Sequence, residues 1–325
     1  MTFRLKGLVA LLVAAGALLA GGGLYAQQKA ISIATGGTGG VYYPLGGAMA
    51  NVLSKYLPGI QATAEVTGGS VDNLKLIGTN RAEVALSMMD VAIDANKGVD
   101  KFSAGKIPVR TLMVLYPNRM HVVTIEATGI NTMADLRGKR VSTGSPGSAT
   151  EVMAFRVLEA AGYDVAFFRD LRRERLGVAE SVNALKDRKI DAFFWVGGIP
   201  TAAVTDLGAT PGVKIKLLDT ADLVATMNKK YNDLYSTGVI KAGAYPGQAK
   251  DNAVSVVWNI LVANAAMPDD MAYNIVKTLM EKNPELVAVH REAANFTLEN
   301  QVPANSAIPW HPGATRYFKE RGVKM

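Results

Sequence analysis

The sequence predicts an α/β protein with two lobes, each built on an open sheet of mainly parallel strands. Short β-like runs alternate with longer helical patterns from Ala30 onward, which is the order expected of strands linked by crossover helices. Removing an amino-terminal segment of 26 residues leaves 299, enough for two medium-sized domains. Hydrophobic residues make up 49% of the chain and charged residues 19%, so the chain can bury a core.

The first 26 residues have the pattern of a secretory signal peptide. Arg4 and Lys6 precede an apolar run, Leu8–Ala20, that is shorter than the ~20 apolar residues needed to cross a bilayer. We expect cleavage near Ala26 and export, with a bacterial periplasm as the compartment that fits. The sequence contains no cysteine, which excludes disulfides and a lipid-modified cysteine anchor.

Two strand–turn–helix units open the mature chain. The first has a strand from Ala30 to Ala34, a glycine-rich turn from Thr35 to Gly40 and a helix that begins near Tyr42. The second has a strand from Ala62 to Val66 and a helix for which Ser70 is the expected N-cap. Further strands are predicted at Val84–Met88, Leu112–Tyr116, around Val141, Asp191–Trp195, Val213–Leu218 and Val254–Val262, and further helices at Thr150–Ala161, Glu180–Arg188 and Asp269–Lys282.

The helix after Tyr42 has one apolar face and two glycines in its first turns. The apolar face is formed by Leu45, Met49, Val52, Leu53 and Tyr56. Gly46 and Gly47 stand where helix propensity alone disfavours glycine, so we expect this helix to pack unusually close to the sheet.

The order of elements also suggests how the lobes divide the chain. We expect residues 27–121 and 253–325 to form lobe one and residues 122–252 to form lobe two. The chain then crosses twice between the lobes, near His121 and near Asn252, and these crossings form a two-segment hinge.

The central motif is a strand that runs through a glycine-rich loop into a helix, and it occurs twice, at Ile31–Ala50 and Arg140–Ala161. A helix start has unsatisfied N–H groups and about half a positive charge, so it can hold a carboxylate or phosphate. Two such starts facing one cleft would trap a small anion. The alternative is that the glycines serve only tight turns and close packing. The residues predicted to bind the ligand are Thr38, Gly39, Gly40, Tyr42, Ser70, Ser87, Ser145, Ser148, Thr150, Trp195 and Gly197.

Charged residues near the second loop have simpler interpretations. We expect Glu151 to complement the helix dipole, with contact to a ligand ammonium group as the alternative. The arginines around Arg173 are interpreted as solvated, with pairing to a distal ligand carboxylate as the alternative. The formal charge of +7 falls to +5 without Arg4 and Lys6, and a mild positive charge attracts anions.

Several functional classes fit the sequence poorly. A Walker loop is excluded because Val41 and Tyr42 follow Gly40, and Tyr42 also occupies the third glycine position of a dinucleotide fingerprint. The three histidines, at 121, 290 and 311, have no metal-ligand spacing, so no metal ion or cofactor is expected. The sequence lacks a Gly-x-Ser-x-Gly elbow and a clustered basic face, so neither an enzyme nor a nucleic-acid partner is expected.

The stretch TGGTGGVYYPLGGAMA at 35–50 resembles the signature of the TAXI-type solute receptors of TRAP transporters. The resemblance continues through VTGGSVDNL at 66–74, DLRGKRVSTGSPGSATE at 135–151, KDRKIDAFFWVGGIP at 186–200 and HPGATRYFKERG at 311–322. It therefore covers essentially the whole mature chain. The second loop departs from the common Gly-Ser-Gly-Thr form, because Ala149 replaces the later glycine.

The resemblance implies a type II periplasmic-binding-protein-like fold and a receptor that delivers solute to a sodium-driven TRAP permease. The implied solute is a small anion, either a dicarboxylate or an acidic amino acid, such as glutamate or 2-oxoglutarate. The expected partners are this solute and the integral-membrane permease subunits, and we expect a monomer. Two alternatives remain: an exported α/β hydrolase using Ser145 or Ser148 with His121, and a binding protein that feeds a membrane sensor.

Overall fold

The computed structural model describes residues 29–325, and the predicted signal peptide, residues 1–26, lies outside the described residues. The strands are Lys29–Ala34 (β1), Ile60–Glu65 (β2), Val84–Met88 (β3), Val109–Ile125 (β4), Arg140–Ser142 (β5), Arg172–Glu174 (β6), Ala192–Gly197 (β7), Ile215–Leu218 (β8), Ser236–Ile240 (β9) and Asn252–Asn264 (β10). The α-helices are Tyr42–Tyr56 (α1), Ser70–Gly78 (α2), Met89–Lys97 (α3), Ala149–Ala160 (α4), Val178–Lys186 (α5), Ala202–Ala209 (α6), Val224–Tyr231 (α7), Asp269–Glu281 (α8), Asn283–Val289 (α9) and Pro312–Glu320 (α10).

The strands form two groups that meet at β4 and β10. The main order is β2-β1-β3-β10-β4-β7-β5-β6, and β8 and β9 pair with β4 and β10 respectively. At the two ends the strands are parallel, as in β1 with β2 and β3, and β5 with β6 and β7. In the middle they are antiparallel. Each group therefore has the parallel strands and crossover helices predicted for one lobe, with helices that start at the carboxyl ends of its strands.

The two long strands connect the groups, as the predicted hinge requires. β10 pairs with β3 through Asn259–Ala263 and with β9 through Asn252–Val256. Near the change of partner, Trp258 lies opposite Pro117 of β4, and the register shifts just beyond this pair. Because proline has no N–H to give to the ladder, an irregularity at this point is expected. The exact lobe boundaries, 27–121 with 253–325 and 122–252, stay a prediction.

Helix α1 packs closely on the sheet, as predicted from its glycines. Leu45, Met49, Val52 and Leu53 are buried on its apolar face. A Cβ on Gly46 would lie 2.3 Å from the Thr35 Cγ2 atom, so only glycine fits there. Since Thr35 directly follows β1 and begins the first glycine loop, this contact fixes where the amino end of α1 lies relative to the strand.

Some elements are longer or more numerous than the sequence pattern indicates. The strand predicted at Leu112–Tyr116 extends over Val109–Ile125, because after Pro117 its second half continues in ladders with β7 and β8. The helix at Met89–Lys97 and the strand at Ser236–Ile240 are not among the predicted elements. Within residues 29–325, no helix combines the length and the apolar character that a membrane span requires.

Candidate functional site

A cavity of about 390 Å³ lies between the two groups of strands. It is lined by five short segments, residues 36–42, 66–70, 144–150 except 147, 175–180 and 194–197, together with Met88, Tyr116 and Asn118. The first glycine loop and the second therefore face the same space, although they follow β1 and β5 at opposite ends of the strand order. This convergence is the arrangement that the repeated strand–loop–helix motif predicts.

Ten of the eleven predicted ligand-binding residues line this cavity. They are Thr38, Gly39, Gly40, Tyr42, Ser70, Ser145, Ser148, Thr150, Trp195 and Gly197. Ser87 does not: it is fully buried in β3, and its hydroxyl donates to the Met88 carbonyl at 3.0 Å. Ser87 fails as a candidate because alternate residues of a strand face opposite sides of the sheet. A binding role for the other ten stays a prediction.

The amino end of α1 offers backbone donors to the cavity. The helix starts without a side-chain cap, and its N-cap residue Val41 and first residue Tyr42 line the cavity. The first N–H groups of a helix have no carbonyl partner within the helix. Together with the positive end of the helix dipole, these groups suit a carboxylate or another small anion.

The amino end of α4 differs, because Ser148 is used inside its own loop. The Ser148 hydroxyl accepts from the Glu151 N–H at 3.1 Å and donates to the Ser145 carbonyl at 2.7 Å. Ser148 is therefore an N-cap with no hydroxyl hydrogen left for a ligand. The Thr150 hydroxyl accepts from the Val196 N–H at 3.3 Å, so its own hydrogen remains a donor candidate.

The turn before α2 is engaged by the opposite loop. The N–H groups of Val71 and Asp72 donate to the Gly147 carbonyl at 3.0 and 3.1 Å, and the Ser145 hydroxyl donates to the Gly68 carbonyl at 3.0 Å. These hydrogen bonds join the two loops across the cleft. The start of α2 is thus capped by protein.

Ser70 corrects one detail of the sequence prediction. The N-cap of α2 is Gly69, and Ser70 is the first helical residue. Its hydroxyl oxygen accepts from the Met88 N–H at 3.1 Å, which ties the helix start to the end of β3. The prediction of Ser70 as N-cap is wrong because the Gly147 carbonyl takes the free donors that a capping side chain serves.

Trp195 forms a wall of the cavity against the first glycine loop. A Cβ on Gly40 would lie 2.7 Å from the Trp195 Cη2 atom, so the loop can approach the indole only as glycine. The Trp195 Nε1–H donates to the Thr201 hydroxyl at 2.8 Å, which fixes the ring. On the same side, the Gly39 carbonyl accepts from the Ala203 N–H at 3.3 Å, a further hydrogen bond across the cleft.

The floor of the cavity is a network of buried amides and phenols. The Tyr42 hydroxyl donates to the Asn259 side-chain oxygen, and Asn118 donates to the same oxygen at 2.7 Å. Burial raises the pKa of Tyr42, so the phenol stays protonated and remains a donor. Sequence analysis identified Tyr42 but missed Asn118 and Tyr116, which lie in the middle of β4, where the pattern indicated only a short buried strand.

A positively charged cluster borders the cavity. Glu151 is buried and pairs with Arg173 and also with Arg175, whose Nε lies 2.7 Å from the Glu151 carboxylate. The interpretation of Arg173 as solvated is wrong: its guanidinium is also stacked 4.6 Å from the ring centres of Phe155 and Phe168. With two arginines and one glutamate the cluster keeps a net positive charge, and Arg175 lines the cavity.

The histidines are engaged elsewhere. The His121 Nδ1–H donates to the Arg119 carbonyl at 2.8 Å, and Nε2 lies 2.8 Å from the Tyr245 hydroxyl. His290 and His311 bond to the Pro200 and Met267 carbonyls. The Ser–His pairing of the hydrolase alternative is therefore not formed. Across the described part of the chain, His, Asp and Glu side chains form no cluster suited to a metal ion.

The chain belongs to the NMT1-like family, whose model matches residues 33–322. Solved structures resemble it at low sequence identity. The periplasmic binding protein BugD is 17% identical, with a TM-score of 0.54 over 91% of this chain and 98% of BugD. A protein from Bordetella bronchiseptica RB50 is 18% identical, with a TM-score of 0.55 over 91% of this chain and 98% of that protein. These likenesses confirm the predicted two-lobed α/β fold of periplasmic-binding-protein type.

Proposed function

We propose that this protein is a periplasmic receptor that binds a small anionic solute in the cavity and delivers it to a TRAP-type membrane permease. One observation carries the proposal: two glycine loops from opposite ends of the strand order line one cavity, and the uncapped start of α1 opens into it. Free helix donors favour a negatively charged guest without any need for a lysine. The glycines therefore serve more than tight turns.

Arg175 is the cationic side chain of the cavity lining, which also carries one carboxylate, Glu180. The cluster of Glu151, Arg173 and Arg175 keeps a net positive charge, and Arg175 is exposed to the cavity side. Glu151 holds the Arg175 guanidinium through Nε at 2.7 Å and Nη2 at 3.3 Å, so the Nη1 N–H groups remain as donors for a ligand carboxylate. Arg175 is thus our candidate for the distal carboxylate of a dicarboxylate or an acidic amino acid.

The size of the cavity supports a small solute. About 390 Å³ lies near the lower end of the range typical of ligand pockets, which runs from about 300 to about 1,000 Å³. Glutamate, 2-oxoglutarate and C4-dicarboxylates are compounds of suitable size and charge.

The cellular setting of the proposal has separate support. The signal-peptide pattern of residues 1–26 favours export, and BugD is described as a periplasmic binding protein. The TAXI-like motifs, above all the stretch at 35–50, favour a TRAP permease as the partner. A binding protein that feeds a membrane sensor would use the same cavity. A permease gene adjacent to the gene for this chain would favour transport, and a sensor gene in that place would contradict it.

Isothermal titration calorimetry with glutamate, 2-oxoglutarate and C4-dicarboxylates tests the proposal. We expect saturable binding of at least one of these anions, weakened by Thr38→Ala and by Arg175→Met. Arg172→Met is the matched control, because Arg172 is an exposed residue of the neighbouring strand β6 and does not line the cavity. Absence of heat with every anion, or equal losses in the Arg175 and Arg172 variants, would contradict the anion site.

A further inference from the structure

The floor of the cavity has a fixed hydrogen-bond polarity. The side-chain N–H of Asn259 donates to the Tyr116 carbonyl at 3.2 Å, so the Asn259 side-chain oxygen points the other way. That oxygen accepts from the Tyr42 hydroxyl and from the Asn118 Nδ2 at 2.7 Å. Turning the Asn118 amide over would bring its oxygen against the Asn259 side-chain oxygen, so the network sets the orientation of the Asn118 and Asn259 amides.

This orientation leaves a buried acceptor without a partner. The side-chain oxygen of Asn118 has no hydrogen-bond partner among the described residues, although Asn118 is only 1% exposed and lines the cavity. The Tyr116 hydroxyl is also buried, unpartnered and part of a cavity-lining residue. Tyr116 and Asn118 are two residues apart in β4, so they lie on the same face of the strand.

An amide oxygen can only accept a hydrogen bond, which gives the floor a chemical preference. A solute group that packs against this buried oxygen must supply an N–H or O–H of its own, because an unpaired buried acceptor is costly. A carboxylate or keto oxygen placed there would instead meet another acceptor.

We infer that the Asn118 oxygen selects solutes that carry a hydrogen-bond donor, an amino or hydroxyl group, beside their anionic group. The inference rests on the proposed solute-binding function and narrows its substrate class. The anionic group lies at the start of α1, and the donor lies near the hydroxyl end of the Tyr42 side chain. Amino acids and hydroxy acids fit this pattern, whereas plain dicarboxylates and keto acids do not.

Calorimetry with four matched compounds tests the selection. L-glutamate and 2-hydroxyglutarate have a donor at the second carbon, glutarate has none, and 2-oxoglutarate has an acceptor there. We expect a donor-bearing compound to bind at least about tenfold more tightly than glutarate and 2-oxoglutarate. Binding of glutamate alone identifies an ammonium donor, and binding of 2-hydroxyglutarate alone identifies a hydroxyl donor.

Asn118→Leu tests the assignment to this residue. We expect the ratio of glutamate to glutarate affinity to fall toward one, because the acceptor that distinguishes the two compounds is gone. Asn252→Leu is the control: Asn252 is equally buried but bonds to the Leu217 carbonyl and the Asp219 carboxylate, away from the cavity lining. That variant should keep the wild-type ratio even if it is less stable.

The outcomes separate this inference from the proposed function. Equal affinity of the wild-type protein for glutamate, 2-hydroxyglutarate, glutarate and 2-oxoglutarate overturns the donor selection and leaves the anion receptor standing. Preserved selection in Asn118→Leu also overturns the assignment. Binding of none of the four compounds overturns the anion site and the inference together. The wild-type comparison decides the matter even if the leucine variant does not fold.

Discussion

Arg156 of α4 donates a hydrogen bond to Asp94 of α3, and this pair joins the helices on either side of the cleft in a buried cluster. The Arg156 guanidinium also lies 3.5 Å from the Asp90 carboxylate. The Tyr235 hydroxyl accepts from Arg156 and donates to Asp90, both at 2.8 Å. Two buried carboxylates therefore share a single guanidinium, which leaves the cluster one negative charge in excess when both are ionised.

This excess charge predicts a pH-dependent stability. Burial raises the pKa of Asp94 to about 6 from an ordinary value of 3.8, with Asp90 and Asp100 adding repulsion and Arg156 opposing them. Between these values the folded state binds more protons than the unfolded state. The contribution of Asp94 to stability is therefore complete below pH 3.8 and is lost as the pH rises through about 6.

Asp94→Asn should remove this dependence. We expect the difference in Tm, wild type minus variant, to be larger near pH 4 than near pH 7, as measured by scanning calorimetry. Asp222→Asn, at an exposed position, is the control and should leave the shape of the wild-type curve unchanged. Parallel wild-type and Asp94→Asn curves would show that Asp94 titrates at its ordinary pKa.

His121 predicts the opposite slope over nearly the same range. Burial lowers the pKa of His121 to about 4 from 6.5, so the unfolded state binds more protons between these values. Stability from this group is complete above pH 6.5 and is lost as the pH falls through about 4. We expect His121→Gln to lose less Tm than the wild type on acidification over this range. An equal or greater loss in the variant would contradict a buried neutral imidazole.

The features predicted from sequence depend on neighbours in the chain. The apolar face of α1 and the close approach of Gly46 to Thr35 follow from residues about ten positions apart. Glycine loops after β1 and β5 also follow from local composition, and the α/β order places both at carboxyl ends of strands. These local rules were sufficient to bring ten candidate residues to one cavity.

The features that were missed depend on how distant segments dock. The Gly147 carbonyl caps α2, although it lies 76 positions from Val71 and 75 positions from Asp72 along the chain. No local sequence pattern predicts a contact at this separation. Arg173 pairs with Glu151 only because β6 lies beside β5. The free oxygen of Asn118 depends on Asn259, a residue of the other long strand. Sequence patterns locate the loops, whereas only the folded structure shows which donors and acceptors of the site are already paired.

Ser148→Ala should reduce stability more than it reduces binding. The Ser148 hydroxyl caps α4 and bonds to the Ser145 carbonyl, so its removal frees the Glu151 N–H. We expect a loss of about 1 kcal/mol in the free energy of unfolding, measured by urea denaturation. Thr38→Ala, in the first loop, is the comparison and should weaken anion binding with little effect on unfolding. A stable Ser148→Ala protein with abolished binding would restore Ser148 as a direct ligand contact.

A substitution at Gly68 can destabilise the contact between the turn before α2 and the second glycine loop without straining the backbone at residue 68. A Cβ on Gly68 would lie 2.5 Å from the Pro146 carbonyl oxygen across the cleft, and equally close to the Asp72 carboxylate, which can turn away. Its φ lies outside the left-handed region, so alanine is tolerated by the loop itself. The backbone clash with Pro146 therefore exists only while the loops are together.

Gly68→Ala should consequently weaken solute binding. Forcing an extra methyl group into a packed contact costs about 1–3 kcal/mol, so we expect about tenfold weaker binding of the tightest of the four tested anions. Gly105→Ala is the matched control, because Gly105 is exposed and an added Cβ there meets no atom within 4 Å. Gly105→Ala should unfold at or slightly above the wild-type Tm, since alanine restricts the unfolded chain. Gly68→Ala should unfold at a lower Tm, because separating the loops also breaks the hydrogen bonds from Val71 and Asp72 to the Gly147 carbonyl. Unchanged affinity in Gly68→Ala would mean that the bound state does not need the contact between residues 68 and 146, and that the loops meet only in the absence of solute.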